Sequence, residues 1–256
     1  CGARHLLAEM AEEVDRFSRE QGRSCHLIAE SDLNDVRVVR EREQGGYGVH
    51  AQWSDDFHHA IHVLLTGEKI GYYEDFGELS QLAKALEEGF VYDWQYSPHR
   101  KHRHGSSSRD LPGSRLVCSL QNHDQVGNRM RGERLSRLVS FESLKLAAGC
   151  LLAAPYLPLL FMGEEYGEEA PFYYFISHSD ENLVRAVREG RAREFASFAG
   201  KGTPPDPQSP ETFVASRLDW ERSKTGNSRA LRSFYQRLLS LRRELPALVN
   251  MDKRGT

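Results

Sequence analysis

Along the 256 residues, apolar positions switch repeatedly between the spacing of an amphipathic helix and short continuous runs. Leu7, Met10, Ala11, Val14 and Phe17 form one face of a helix predicted over 4–20, which Gly22 ends. A brief apolar run at 26–29 follows and stops at Glu30-Ser31-Asp32, as a buried parallel strand would. Asn34-Asp35 then offers a cap for a short helix. The second strand is predicted at 47–52, ending at Trp53. Asp55 or Asp56 would cap the next helix, with Phe57, Ile61, Leu64 and Leu65 facing inward and Gly67 at its end. Another helix, over 78–88, carries Leu79, Leu82, Ala83 and Leu86. Residues 90–114 read as a long irregular stretch holding Trp94 and Tyr96. The third strand, 116–120, runs into Gln121-Asn122-His123-Asp124 and is followed by a helix over 137–154. The fourth, 158–162, is ended by Gly163-Glu164-Glu165. Helices over 181–195 and 228–245 complete the chain, around a Pro-rich loop at 202–210.

Buried parallel strands alternating with helices make this an α/β protein. In a doubly wound sheet, chemistry collects only around a switch point, whereas in a barrel every strand end opens on one face. Polar groups follow all four strands here, so the expected architecture is a partial TIM (β/α)8 barrel. Closing such a barrel takes about eight strands. Four would leave two apolar edges open.

Composition narrows the field without redirecting it. An apolar fraction of 39% and a charged fraction of 28% are ordinary for a soluble globular protein. A net charge of -3 argues against nucleic acid or a membrane surface as partner. The basic run His99-Arg100-Lys101-His102-Arg103-His104 is the exception, and its flanks, Pro98 and Gly105-Ser106-Ser107-Ser108, make it read as a solvated loop. The four cysteines lack metal-like spacing, and Cys25 and Cys118 read as buried free thiols of a reducing, cytoplasmic compartment. His58 and His62 could share a helix face, but no Glu follows His58 as a zincin site requires, so no metal is expected. His50 reads as a satisfied core histidine, and Gly45, Gly46 and Gly48 as a turn. The chain opens without Met and enters a helix within a few residues, as a fragment would.

Hydrolysis of a glycosidic bond needs a proton donor at the leaving oxygen and a second carboxylate near the anomeric carbon. Glu30 suits the first task, because an apolar strand up to Ala29 would give it low-dielectric walls and a raised pKa. It could equally cap or pair with a charge. Asp124, beside His123, could stabilise a developing oxocarbenium ion, or cap a helix. Trp53 could stack on a sugar ring while Asp56 or Asp55 bonds its hydroxyls; the alternative is packing at a rim, with one Asp as N-cap.

Leu27-Ile28-Ala29-Glu30-Ser31 resembles the α-amylase superfamily segment that carries the acid/base Glu at the end of the fifth barrel strand. Gln121-Asn122-His123-Asp124-Gln125 resembles the segment that ends the seventh strand with the stabilising Asp. Within that superfamily, 29–35, 51–60, 122–129 and 183–191 are similar to the malto-oligosyltrehalose trehalohydrolases. The resemblance implies Glu30 as acid/base and Asp124 as stabiliser, with His123 touching the sugar. Trp53 and Asp56 would line the pocket, joined by Asp32 and Gln125. It further implies strands five to eight of the barrel in 1–246, with 247–256 beginning a linker to a further domain. The substrate would be malto-oligosyltrehalose, cleaved to trehalose with retention, and the metabolic partner its synthase. No cofactor, nucleic acid or membrane is implied. The superfamily's nucleophile is an Asp ending the fourth strand, and Asp15, inside the first helix, cannot fill that place. Nucleophile and acid/base must lie about 5–5.5 Å apart, so these residues alone are expected to be inactive. Two other readings stay open: a glycogen-branching or related α-1,4-glucan enzyme, and a non-catalytic barrel that binds sugar or protein.

Overall fold

The computed structural model describes residues 4–197 and 203–253. The chain divides into two units. The first comprises Cys1–Ser119, Leu151–Leu159 and Leu241–Thr256; the second comprises Leu120–Cys150 and Leu160–Ser240.

The first unit is built on a four-stranded parallel sheet, in the order β1 (Ile28–Ala29), β2 (Ala51–Trp53), β5 (Leu116–Ser119), β6 (Leu157–Leu159). Ile28 lies opposite Ala51, Gln52 opposite Leu116 and Val117 opposite Leu157. The four predicted strands are present, but shorter. Tyr47 and Val49 donate their amides to Arg37 and Val38 (2.7 and 3.1 Å), and Gly48 turns with φ 71°, so pairing in the sheet starts only at Ala51. His50 is satisfied as expected: Nδ1 accepts from the Leu27 amide (2.9 Å) and Nε2 faces Asp15 Oδ1 (3.1 Å). Among the described residues β1 and β6 each have one strand neighbour.

Helix α1 (Leu6–Gln21) starts at His5, whose Nδ1 accepts from the Leu7 amide, and ends at Gly22 in the left-handed region. Its predicted apolar face is covered only in part. Ala8 and Ala11 are buried, whereas Met10 and Phe17 are 42% and 49% exposed, as is Ile28 on β1 at 48%. This side of the unit carries apolar groups that its own core does not cover.

Ser54, not Asp55 or Asp56, holds the N-cap position of helix α2 (Asp55–Thr66), without a side-chain cap bond, and the two Asp occupy its first turn. Phe57 and Ile61 face inward as predicted, but burial extends round the helix. Leu64 is exposed, and the inward positions include His58, His59 and His62. His62 stacks on Tyr73 (4.4 Å) and His59 on Phe76 (5.2 Å), while His58 Nε2 meets Tyr73 Oη (2.9 Å) and His62 Nε2 meets Glu68 (2.8 Å). Ring against ring fills this part of the core with residues that polarity scales place outside. Helix α3 (Leu79–Glu88) closes the layer with a capping box between Glu78 and Gln81.

The stretch read as irregular contains an antiparallel hairpin, β3 (Asp93–Ser97) and β4 (His102–Gly105). The basic run is therefore its turn and second strand, with His99, Lys101, His102 and Arg103 exposed as a solvated run would be. His104 is buried, and the Arg100 amide donates to Ser97 Oγ (3.0 Å). The register slips between Asp93 and Gln95, where Trp94 takes φ 97°. Of the two cysteines expected inside, Cys118 is buried and Cys25 only half-buried; Cys1 lies outside the described residues.

The second unit is helical among its described residues. It holds α4 (His123–Gly127), α5 (Leu135–Leu138), most of α6 (Phe141–Ala153), α7 (Glu181–Ser197), α8 (Pro210–Ala215) and most of α9 (Gly226–Glu244). The helix predicted over 137–154 is divided because Val139 is extended and Ser140 restarts the chain, its Oγ accepting from the Ser143 amide. Helix α8 lies beyond the Pro-rich loop, with Ser209 as cap and Pro210 in its first turn. A last short helix, α10 (Pro246–Val249), lies in the first unit, and residues 254–256 of the expected linker are outside the described residues. Among the described residues no helix is long and apolar enough to cross a membrane.

Candidate active site

In the first unit the strands run parallel, so their C-terminal ends share one edge of the sheet. Glu30 follows β1 directly and is exposed, not enclosed by apolar walls; β1 is short, and Ile28 beside it is itself open to solvent. Asp32 is held by the hairpin. Arg100 reaches its carboxylate at 2.9 Å, and His104 Nε2 lies 3.0 Å from its backbone oxygen. Trp53 ends β2 and is partly covered. Ser54 donates its hydroxyl to the Gly89 carbonyl (3.1 Å), fixing the strand end against the residue after α3.

Asp56 is placed otherwise than a sugar ligand on an open rim. It is 6% exposed, and its Oδ2 accepts from Asn34 Nδ2 (2.8 Å) and from the amides of Val91 (2.7 Å) and Tyr92 (2.9 Å). Burial raises its pKa, against the opposing pull of these three donors. Asp15 is likewise engaged within the first unit, by Arg42 (2.6 Å) and His50.

In the second unit Asn122 prepares the local site. Its backbone is extended, and its Oδ1 accepts from the amides of Asp124 (2.9 Å) and Gln125 (3.2 Å), starting α4. His123 and Asp124 are thereby set on the exposed first turn, His123 Nε2 3.6 Å from Asp124 Oδ1, while Gln125, Val126 and Gly127 turn inward. Arg191 of α7 fixes the far end, donating to the Gly127 carbonyl (2.8 Å) and to Asn128 Oδ1 (3.1 Å). Gln121 accepts the Leu135 amide (3.0 Å). Asp124 is an exposed carboxylate on a backbone fixed from both sides.

The acidic cluster after the fourth strand is mostly frame. Glu164 is buried, its Oε1 accepting from Tyr235 Oη (3.0 Å), and burial pushes its pKa up to about 8. Glu168 is buried as well and accepts from Tyr166 Oη and from the amides of Glu169, Ala170 and Asp219. Arg134, 1% exposed, donates to the carbonyls of Met162 (2.6 Å) and Ala170 (2.7 Å). Sequence reasoning missed Asn34, Arg100, His104, Arg134 and Glu168. The run Glu164-Glu165 with Glu168-Glu169 marks a polar segment, but nothing in it says which members turn inward.

No protein-family profile matches the chain. It is 48% identical, over 94% of its length, to the malto-oligosyltrehalose trehalohydrolase of Saccharolobus solfataricus. It is 47% identical, over 96% of its length, to the protein of the same name from a Rhizobium species (strain M-11). The chain spans only 40% and 42% of those two relatives. A solved structure of a Salmonella typhimurium protein, provisionally assigned as an alpha amylase, matches with a TM-score of 0.88 at 41% identity. That match covers 99% of this chain and 44% of the other. By sequence this chain belongs with the malto-oligosyltrehalose trehalohydrolases, glycoside hydrolases of the α-amylase superfamily, of which it spans about two fifths.

Proposed function

We propose that the complete protein cuts the α-1,4 bond joining trehalose to a malto-oligosaccharide and releases trehalose with retention of configuration. The identity of 48% to a trehalohydrolase, sustained over 94% of the chain, carries this reading. Glu30 protonates the leaving oxygen and then activates the water that frees the glycosyl group. Asp124 stabilises the oxocarbenium-like transition states on either side of the covalent intermediate. His123 contacts the sugar at the cleavage point, Trp53 offers it an aromatic face, and Asp32 contributes hydroxyl contacts, while Gln125, turned inward, supports the turn that carries Asp124. Asp56 acts on this pocket through the backbone it holds. The nucleophile is an Asp ending the fourth barrel strand, a place that Asp15, inside α1, does not fill, so the 256 residues alone are expected to turn over no substrate. Residues 1–246 supply strands five to eight of the (β/α)8 barrel. The chemistry calls for no metal or organic cofactor. The enzyme works in the cytoplasm, on malto-oligosyltrehalose made by a partner synthase.

The complete protein incubated with malto-oligosyltrehalose is expected to yield free trehalose and a shortened maltosaccharide. New α-1,6 branch points would indicate a branching enzyme instead. Binding without any product would indicate a non-catalytic barrel. Measurable turnover by the 256-residue piece would overturn the placement of the nucleophile.

A further inference from the structure

Glu30 presents a problem that its own strand does not solve. A group that must donate a proton to one oxygen has to be held within about half an ångström of its working position. Yet Glu30 is exposed, and β1 before it is only two residues long and pairs on one side. What fixes the loop comes from far along the chain. Asn34 is 2% exposed and sits at φ 51°, a left-handed conformation that Asn tolerates and most residues do not. Its carbonyl accepts from both the amide (2.9 Å) and the hydroxyl (2.8 Å) of Ser106. Its side chain donates to Asp56 Oδ2 at 2.8 Å and to the Tyr92 carbonyl at 3.4 Å. Two residues earlier, Asp32 takes the Arg100 guanidinium and the His104 ring. Gly105, at φ 80°, has no Cβ to keep the hairpin open: one placed there would lie 1.9 Å from the Tyr92 carbonyl across the hairpin and 3.2 Å from the Asn34 Cβ of the loop. Both ends of the hairpin and its turn are therefore bonded to the residues that follow Glu30.

We propose that Asn34 and Arg100 are positioning residues for Glu30: they tie the loop after β1 to the hairpin and so hold an exposed acid in one working place. This rests on the reading of Glu30 as the acid/base. Neither residue touches the reacting atoms. Asn34 sets the loop's exit through its left-handed backbone and its bond to buried Asp56. Arg100 pins the loop's middle through Asp32.

The test compares leaving groups, using the complete enzyme. Departure of a sugar hydroxyl needs a proton from Glu30, whereas 4-nitrophenolate departs without one. Asn34→Ala and Arg100→Ala are expected to lower kcat on malto-oligosyltrehalose by on the order of tenfold to a hundredfold, with KM within about twofold. The pre-steady-state burst of nitrophenolate from 4-nitrophenyl α-maltoside should stay within about twofold of the unaltered enzyme, and Arg100→Lys should recover part of the loss. A purely structural role would depress both substrates together, and that result overturns the proposal, as does an unchanged kcat. Should Asn34→Ala fail to fold, Arg100→Ala carries the test, since its ion pair is part-exposed at 28% and 58%. If the unaltered enzyme releases no trehalose, the function falls alone, and the same comparison is read on maltopentaose. If it cleaves no glycoside at all, both readings fall.

Discussion

Four carboxylates that follow strands of this chain have opposite fates. Glu30 and Asp124 are exposed, on backbone that other groups hold in place. Asp56 and Glu164 are each 6% exposed and engaged in buried hydrogen bonds: Asp56 with two amides and Asn34, Glu164 with Tyr235. Their residue types and positions in the α/β pattern are nearly the same. The difference is burial: a carboxylate sealed among the scaffold's donors serves the fold, whereas one at the surface can still reach a substrate.

The sharpest way to break this contrast is to replace the carboxyl groups of the exposed pair by amides. In the complete enzyme Glu30→Gln and Asp124→Asn should each lower kcat by at least about a thousandfold, read as trehalose release. Stability to urea should change by no more than about 0.5 kcal/mol, as for exposed positions generally. A large loss of stability in either variant would move that residue into the frame.

Asp56→Ala should do the reverse. It leaves the amides of Val91 and Tyr92 and the Asn34 side chain buried without their acceptor. A destabilisation of about 3 kcal/mol or more is expected, visible as a lower urea midpoint. Asp56→Asn keeps one acceptor oxygen and should cost less. If Asp56→Ala were as stable as the parent, the contrast between frame and site would be wrong at its clearest point.

How much of this could be read beforehand follows from the same distinction. Strand and helix order was legible because short apolar runs and helical faces are local signals, and the exposed carboxylates because their motifs are local too. The hairpin was not. Asp93-Trp94-Gln95-Tyr96-Ser97 does alternate polar and aromatic residues, but its partner His102-Arg103-His104-Gly105 carries no apolar side chain, so the pattern marks no pair of strands, and the bulge at Trp94 shifts the register. The full burial of α2 was not legible either, because His58, His59 and His62 count as polar in any periodicity, yet pack as rings against Tyr73 and Phe76. Arg100 and Asp32 are 68 residues apart, and no pattern within a window of ordinary length connects them.

The smallest expected effects are in pH, and they separate two buried groups by sign. Burial raises Glu164 from an ordinary 4.5 to about 8, so the folded chain holds a proton that the unfolded chain releases. Its contribution to stability is complete below pH 4.5, declines as pH rises, and is lost above about 8. Burial lowers His59 from 6.5 to about 3, because the ring stays neutral among Tyr72, Tyr73 and Phe76. Its contribution is complete above pH 6.5, declines as pH falls, and is lost below about 3. The urea midpoint should therefore fall toward alkaline pH through Glu164 and toward acid pH through His59. Glu164→Gln should flatten only the alkaline limb, and His59→Phe, which keeps a ring against Phe76, only the acid limb. If either substitution flattened the opposite limb, or neither, the two side chains would have to be more open to water than their burial allows, and the line between frame and site would have to be redrawn around them.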